Sequence, residues 1–239
     1  MKKNVLITGA SRGIGRAIAF SFATRGYDLY LTCKSNISLL EKLKKELEDT
    51  YRISCKVYQC DCGDYSQVRQ LFTLLPPLTV LINNAGISYI GLLTDMEPED
   101  WQQVINTNLN SLFYTCKLAV PSMVSAKQGR IINISSVWGE HGSSMEVAYS
   151  ASKGGVNAFT KALAKELGPS NITVNAISCG LIDTDMNQDF TREELDSIIS
   201  DIPCDRMGST KEVAELCLML ADSPSYLTGQ IITIDGGWC

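Results

Sequence analysis

Seven short apolar runs, separated by segments with helical spacing, constrain the fold of this 239-residue chain more than any other feature. The runs lie at positions 5–7, 29–31, 56–58, 80–82, 131–134, 173–177 and 231–234. Most are continuously apolar rather than alternating, as strands are when both faces of a parallel sheet are covered. Their alternation with helical segments predicts an α/β fold with a doubly wound parallel sheet of about seven strands and helices on both faces.

Helix boundaries show in the polar residues between the strands. Ser38 with Glu41, and Ser209 with Glu212, have the spacing of capping boxes. Pro98 suits the first position of a helix, and apolar residues at helical spacing follow it to about residue 125. A further helix is expected over about 150–168.

No linker, internal repeat or low-complexity tract divides the sequence, so we expect one domain over residues 1–239. The one long connection without a clear strand spans about 181–208 and holds a short helix opened by Thr191 and Glu194. Long segments of this kind often cover a binding site, and we expect this one to contact the substrate.

Composition excludes several functional classes. The net charge of −5 gives no electrostatic support for nucleic-acid binding. The N-terminus lacks the apolar stretch of a secretory signal, and no run is long enough for a membrane span. The nine cysteines are therefore expected as thiols in a cytoplasmic protein, and no Cys/His pairing has metal-ligand spacing.

A glycine-rich turn follows the first strand and precedes the first helix. Glycines there let the backbone approach a phosphate, and the helix N-terminus presents free N–H groups to it. This placement indicates a Rossmann-type nucleotide-binding fold. The candidate contacts are Gly9, Ser11, Arg12, Gly13, Ile14 and Gly15.

The end of the second strand indicates which nucleotide binds. An acidic residue there would bind the ribose 2′-OH of NAD, whereas a basic residue accommodates the 2′-phosphate of NADP. The stretch from Leu31 to Asn36 has no carboxylate but contains Lys34. Lys34 and Arg12 would pair with the phosphate, which predicts NADP(H) as the cofactor.

Tyr149 and Lys153 stand four residues apart on a helical segment and so share a face. A neighbouring ammonium is expected to lower the pKa of a phenol, which suits general acid–base catalysis. Ser136 follows the fifth strand at the carboxyl edge, where it would hold a carbonyl oxygen. Asn108 occupies an apolar-stripe position, where it is either a satisfied structural amide or a bridge, direct or through water, to Lys153.

These residues together resemble the short-chain dehydrogenase/reductase family over essentially the whole chain. The motifs that carry the resemblance are Thr8-Gly9-xxx-Gly13-x-Gly15, Asp61, Asn83-Asn84-Ala85-Gly86, Asn108, Ser136, Tyr149-xxx-Lys153, Ile182-x-Thr184 and Asp235-Gly236-Gly237. One departure is Cys179, where the family commonly has proline before the glycine.

The resemblance implies roles for these positions. Asp61 and Asn83, with the neighbouring Cys62, Ala85 and Gly86, would line the nucleotide. Ile182 and Thr184 would hold the cofactor carboxamide, and Lys153 the nicotinamide ribose. In the same reading, Tyr149 donates the proton while Ser136 polarises the carbonyl. The resemblance also implies a homotetramer or homodimer.

Three kinds of ketone substrate stay open. The stretches 129–136 and 183–186 resemble 3-oxoacyl-[acyl-carrier-protein] reductases of fatty acid biosynthesis, although Ser170 stands where a basic carrier-docking residue is usual and only Lys127 is basic. The stretches 137–139 and 146–150 resemble reductases of the 5-aminopentanone group on elongation factor P. A small ketone or hydroxysteroid is the third candidate substrate. An NADP-sensing regulator ranks last, since all four catalytic candidates are present.

Overall fold

The computed structural model describes residues 3–187 and 190–239, and its centre is a parallel sheet of seven strands. The strands are β1 (Asn4–Ile7), β2 (Asp28–Cys33), β3 (Cys55–Gln59), β4 (Val80–Asn83), β5 (Gly129–Ser136), β6 (Ile172–Cys179) and β7 (Ile231–Ile234). Their spatial order is β3-β2-β1-β4-β5-β6-β7, which confirms the expected Rossmann-type doubly wound sheet. The order reverses between β1 and β4, and ligands bind outside the carboxyl ends of the strands at such a point.

Helices cover both faces of the sheet. They are α1 (Gly13–Thr24), α2 (Ile37–Tyr51), α3 (Tyr65–Phe72), α4 (Pro98–Ile105), α5 (Ser111–Ala126), α6 (Val147–Leu167), α7 (Arg192–Ser200) and α8 (Thr210–Asp222). Within the described ranges, no helix is both long and apolar enough to cross a membrane.

Each face of the sheet has its own hydrophobic core. One cluster joins α1, α2 and α8 through Ile18, Leu40 and Val213, all fully buried. The other joins α5 and α6 through Met123 and Leu167. Burying each large side chain contributes about 1.5–3 kcal/mol, so the two clusters fix the strand order and the edge where the site forms.

Two of the predicted helix caps are present in the structure and one is not. Ser209 with Glu212 forms a complete capping box at the start of α8, as predicted. Thr191 with Glu194 does the same for α7. The prediction for Ser38 and Glu41 is wrong because α2 already begins at Ile37, with Asn36 as its N-cap. Ser38 therefore lies inside the first turn, where its hydroxyl cannot cap the helix.

The long helix expected from Pro98 is divided by a π-helical segment. Pro98 begins α4 as predicted, but Asn106–Asn110 form a wider turn before α5. A π-helical turn accommodates an extra residue and is frequent at functional sites. Here it carries Asn108, whose side chain is completely buried.

Candidate functional site

The glycine turn after β1 is fastened to the loop after β4. Asn84 Nδ2 donates to the carbonyls of Thr8 (2.9 Å) and Gly9 (3.0 Å). Thr8 Oγ1 accepts from the backbone N–H groups of Asn84 and Ala85, each at 3.0 Å. Asn84 stands in the family motif, but no local pattern predicted these contacts of its side chain. The available signal was that two polar residues follow neighbouring strands.

The N-terminus of α1 fits a phosphate. Its N-cap residue, Arg12, makes no side-chain cap hydrogen bond, and the first turn has no acidic residue. The first N–H groups of the helix thus have no side-chain acceptor and would bind an anion. A Cβ added to Gly13 would stand 3.5 Å from Thr184 Cγ2, so Thr184 lies beside the turn. Gly13 and Thr184 line one cleft of about 450 Å³.

Both cations expected at the ribose phosphate have carboxylate partners. Lys34 Nζ lies 2.8 Å from Asp61 Oδ2, and Arg12 Nη1 lies 3.5 Å from Asp185 Oδ2. Both basic side chains remain more than half exposed. A bound phosphate would therefore compete with Asp61 for Lys34, which the sequence reasoning did not anticipate.

Asn83, expected to line the nucleotide, has its side chain directed into the protein. It is buried; Nδ2 donates to Asn133 Oδ1 (2.8 Å), and Oδ1 accepts from Thr115 Oγ1 (2.7 Å). Those bonds hold β4 to β5 and α5. Only the backbone of Asn83 is available to face a nucleotide, and its expected place in the nucleotide lining stays a prediction.

The long connection over about 181–208, which we expect to contact the substrate, begins in a turn held by backbone hydrogen bonds. Gly180 N donates to Ile234 O (2.9 Å), and Gly208 N donates to Leu181 O (2.9 Å). The buried Ile182 pairs with Gly208 in a single bridge. Cys179, which replaces the usual proline, is buried, and burial raises its pKa to about 12. The turn is thus closed without proline, and the thiol stays neutral.

Ser136 and Tyr149 meet at the carboxyl edge of the sheet. Ser136 is the last residue of β5, and Tyr149 lies in the first turn of α6. The hydroxyl of Ser136 opposes the rise in the pKa of Tyr149 that burial causes, so the two hydroxyl groups lie near each other. Ser136 Oγ also accepts from Trp138 N (3.2 Å), which leaves its proton directed away from the backbone. Two hydroxyl groups therefore converge where a carbonyl oxygen would lie.

Lys153 lies beside Tyr149, with Nζ 5.5 Å from the centre of the phenol ring. Nζ donates to Ile134 O at 2.8 Å. Burial lowers the pKa of Lys153 to about 8 and raises the pKa of Tyr149. The pKa of Tyr149 is thus raised, not lowered as expected, because burial removes the phenolate from water.

The lowered pKa of Lys153 makes stability depend on pH. Below about pH 8 the ammonium is protonated in both states, and the folded protein bears the full cost of burying it. Between pH 8 and the unfolded value of 10.5, the folded state releases the proton and that cost falls. We therefore expect Lys153→Met to be stabilising relative to the parent at pH 7, with the gap shrinking towards pH 10. Denaturant unfolding of both proteins at each pH measures the difference in the free energy of unfolding. A difference that does not change with pH would contradict the lowered pKa of Lys153.

The side chain of Asn108 makes its hydrogen bonds to the loop after β4 and to Ser152, not directly to Lys153. Its Oδ1 accepts from Ile87 N and its Nδ2 donates to Ile87 O, each at 2.8 Å. The same Nδ2 donates to Ser152 Oγ at 3.0 Å. Among the described residues no direct hydrogen bond joins Asn108 to Lys153, and the expected bridge to Lys153, direct or through water, stays a prediction. A Cβ at Gly86 would stand 3.5 Å from Asn108 Oδ1 and 3.6 Å from Lys153 Nζ, so glycine keeps that approach open.

Glu146 belongs to the site, although sequence reasoning did not single it out. It is the N-cap residue of α6, yet its side chain makes no cap bond and instead accepts from Ser88 Oγ at 2.6 Å. It is half-buried, and its charge contributes to the raised pKa of Tyr149. A fixed carboxylate thus stands close to the hydroxyl pair.

Lys127 and Ser170 lie at the opposite edge of the sheet from Tyr149. They precede β5 and β6, and Asn171 Nδ2 donates to Lys127 O at 3.2 Å. An acidic carrier held by Lys127 would therefore not face the hydroxyl pair of the same chain.

Comparisons with known proteins agree with this geometry. Residues 3–195 match the model of the short chain dehydrogenase family. An uncharacterised oxidoreductase of Bacillus subtilis, YmfI, is 37% identical, covering 100% of this chain and 99% of that protein. The 3-oxoacyl-[acyl-carrier-protein] reductase FabG of Thermotoga maritima is 40% identical, covering 98% and 97%. The crystal structure of such a reductase from Brucella melitensis superposes with a TM-score of 0.94 at 35% identity, covering 100% of this chain and 92% of that one.

Proposed function

The chain belongs to the short-chain dehydrogenase family of oxidoreductases, and on that premise we propose that it reduces a ketone with NADPH. The observation that carries the proposal is the placement of Ser136, Tyr149 and Lys153 together, at the same sheet edge as the uncapped N-terminus of α1. The bound nicotinamide cofactor supplies the hydride.

The direction of the proton transfer follows from Tyr149. Its raised pKa keeps the phenol protonated at neutral pH, so it is ready to donate a proton to a carbonyl oxygen. Ser136 would hydrogen-bond the same oxygen and orient the carbonyl. The Lys153 ammonium would stabilise the phenolate left after transfer. These three roles favour reduction over oxidation at neutral pH.

The residues near α1 support the preference for NADPH. Lys34 and Arg12 are exposed cations with no acidic residue at the end of β2. We expect NADPH to bind more tightly than NADH, and Lys34→Ala to narrow the ratio by about tenfold, the size of one charge-assisted hydrogen bond. Fluorescence titration with NADPH and with NADH measures this ratio of affinities. The control is Lys56→Ala on β3. Equal affinities in the parent protein would refute the charge argument.

A 3-oxoacyl group on acyl carrier protein is the first candidate substrate. The support is the 36–40% identity to several enzymes named 3-oxoacyl-[acyl-carrier-protein] reductase. Because Lys127 lies at the edge away from Tyr149, a docked carrier would have to serve another subunit of the proposed homotetramer or homodimer. The test is NADPH oxidation with three substrates: a 3-oxoacyl thioester on carrier protein, the same thioester on coenzyme A, and elongation factor P bearing the 5-aminopentanone group. Fastest oxidation with the carrier-bound thioester supports this candidate.

The second candidate, the 5-aminopentanone group, is favoured by Glu146. That group carries an ammonium near its ketone, and a half-buried carboxylate beside Tyr149 would attract it. We expect Glu146→Gln, which keeps an acceptor for Ser88, to lower kcat/KM for this substrate by about tenfold and to leave a neutral ketone unchanged. Glu140→Gln, an exposed charge nearby in the sequence, is the control. An equal loss of kcat/KM for the 5-aminopentanone substrate and for the neutral ketone would show that Glu146 has only a structural role.

A further inference from the structure

Two tryptophans from distant parts of the chain meet beside Ser136. Trp138 lies two residues after β5, and Trp238 lies four residues after β7, next to the C-terminus. Their ring centroids are 4.9 Å apart and the ring planes are inclined by 63°, which is the edge-to-face arrangement that aromatic pairs prefer. Both residues are only half-buried, so this indole pair presents part of its aromatic surface to solvent.

The backbone of Trp138 is fixed relative to the proposed catalytic residues. Trp138 N donates to Ser136 Oγ at 3.2 Å. The short helical turn Val137–Gly139 also lies directly on α6, since a Cβ at Gly139 would stand 2.6 Å from the carbonyl carbon of Lys153. Contacts of its own turn therefore hold Trp138 next to Ser136 and Lys153.

The C-terminal turn that carries Trp238 is held by the side chain of Asp235. Asp235 Oδ1 accepts from Gly237 N at 3.0 Å, and Oδ2 accepts from Cys239 N at 2.9 Å. Asp235 also packs on the end of β6, because a Cβ at Gly180 would stand 2.7 Å from Asp235 Cα. The carboxylate thus fixes the turn, with Trp238 between the two bonded N–H groups.

The strand order places the indole pair on the other side of Ser136 from the nucleotide. The phosphate turn follows β1, and β4 separates β1 from β5. Ser136, Cys179 and Ile234 stand in register at the ends of β5, β6 and β7. Since one tryptophan follows β5 and the other follows β7, the pair crosses the end of β6. A ketone held by Ser136 and Tyr149 would therefore have the nucleotide on one side and the indole pair on the other.

We propose that Trp138 and Trp238 form a substrate subsite that binds an uncharged apolar substituent of the ketone, aliphatic or aryl. The inference rests on the proposed function and deepens it, because a ketone has two substituents and the subsite receives one of them. Glu146 lies against the loop after β4 through its bond to Ser88, whereas the indole pair spans β5 to β7. The two substituents of the ketone thus meet different surroundings, one polar and one apolar.

The surroundings of Trp238 favour an apolar group over a cation. A Cβ at Gly236 would stand 2.8 Å from Ile202 Cγ2, and a Cβ at Gly237 would stand 3.5 Å from Pro203 Cγ, so apolar side chains flank the C-terminal turn. An apolar substituent gains free energy by leaving water for the indole surface. An ammonium would lose its hydration there and would have to compete for the Asp235 carboxylate with two backbone N–H groups.

Circular dichroism tests the indole pair itself, without substrate or cofactor. Two indoles in edge-to-face contact couple their electronic transitions and give a couplet in the far-ultraviolet spectrum. We expect the full chain to show this couplet, Trp238→Phe to lose it, and the control Trp101→Phe on α4 to keep it. A spectrum that Trp238→Phe leaves unchanged would overturn the subsite, because the two rings would not be in contact.

Three probe ketones test the kind of substituent: acetone, 2-octanone and 8-amino-2-octanone. We expect the parent protein to have a higher kcat/KM with 2-octanone than with the other two in NADPH oxidation. In Trp238→Ala, the ratio of kcat/KM for 2-octanone to that for acetone should fall by about tenfold, mainly through KM. The control is Tyr226→Ala, which removes a fully exposed aromatic ring and should keep the parent ratio. Equal use of the ammonium-bearing ketone would overturn the choice of an apolar group.

Tryptophan fluorescence separates failure of the subsite from failure of the proposed function. The chain has three tryptophans, so in Trp101→Phe the remaining tryptophan emission comes from the indole pair. We expect 2-octanone to quench this emission saturably, whether or not the ketone is reduced. Absence of saturable quenching, or an unchanged ratio of kcat/KM in Trp238→Ala, would overturn the subsite. Saturable quenching without reduction of any ketone would instead refute the proposed function.

Discussion

Tyr149→Phe is expected to lower kcat by about a thousandfold while NADPH binding stays within a factor of about two, because loss of a general acid costs on the order of 10²–10⁴ in rate. The substitution removes one hydroxyl and keeps the buried ring in place. Assays of NADPH oxidation with saturating ketone measure kcat. Fluorescence titration with NADPH measures cofactor binding separately.

Tyr27→Phe is the matched control for this variant. Tyr27 is also buried, burial also raises its pKa, and it precedes β2 at the edge opposite the site. We expect that control to turn over at the parent rate. If Tyr149→Phe also retained the parent rate, the proton donor would have to be another group, and the role of Tyr149 would be refuted.

The strands and the phosphate turn were predictable because their signals are local. A continuous apolar run such as 131–134 predicts a buried parallel strand whatever its neighbours are, and β5 contains it. The same holds for Ser209 and Glu212, whose capping box depends only on spacing. Ser38 and Glu41 share that spacing, but Asn36 begins the helix earlier, and sequence alone does not order two competing caps.

The parts of the site that sequence reasoning missed depend on contacts between distant segments. Asn108 was expected to be buried and polar, but its partner Ile87 is brought close only by the π-helical segment. Glu146 reaches Ser88 because the loop after β4 lies against the start of α6. The pKa of Tyr149 is raised mainly by burial within the whole fold, which no local pattern of residues predicts.

The tight packing of the phosphate turn gives the second large prediction, for Gly15→Ala. A Cβ at Gly15 would stand 2.5 Å from Gly9 O, 2.6 Å from Asn84 Nδ2 and 2.9 Å from Ala10 Cα. Two of these atoms are backbone, so the helix has to move away from the turn. Overpacking of this kind costs about 1–3 kcal/mol. The displacement also spreads the N–H groups that would bind phosphate.

We therefore expect Gly15→Ala to lower the free energy of unfolding by about 2–3 kcal/mol and to weaken NADPH binding by about a hundredfold. Gly168→Ala is the control, because a Cβ there meets no atom within 4 Å and Gly168 already has the φ of a right-handed helix. That variant should match or slightly exceed the parent in stability, since alanine restricts the unfolded chain. Thermal unfolding measures the stability of both variants, and a separate titration of the folded proteins with NADPH measures their affinity for the nucleotide. If Gly15→Ala matched Gly168→Ala in both measurements, the close approach of α1 to the turn would not be what organises the nucleotide site.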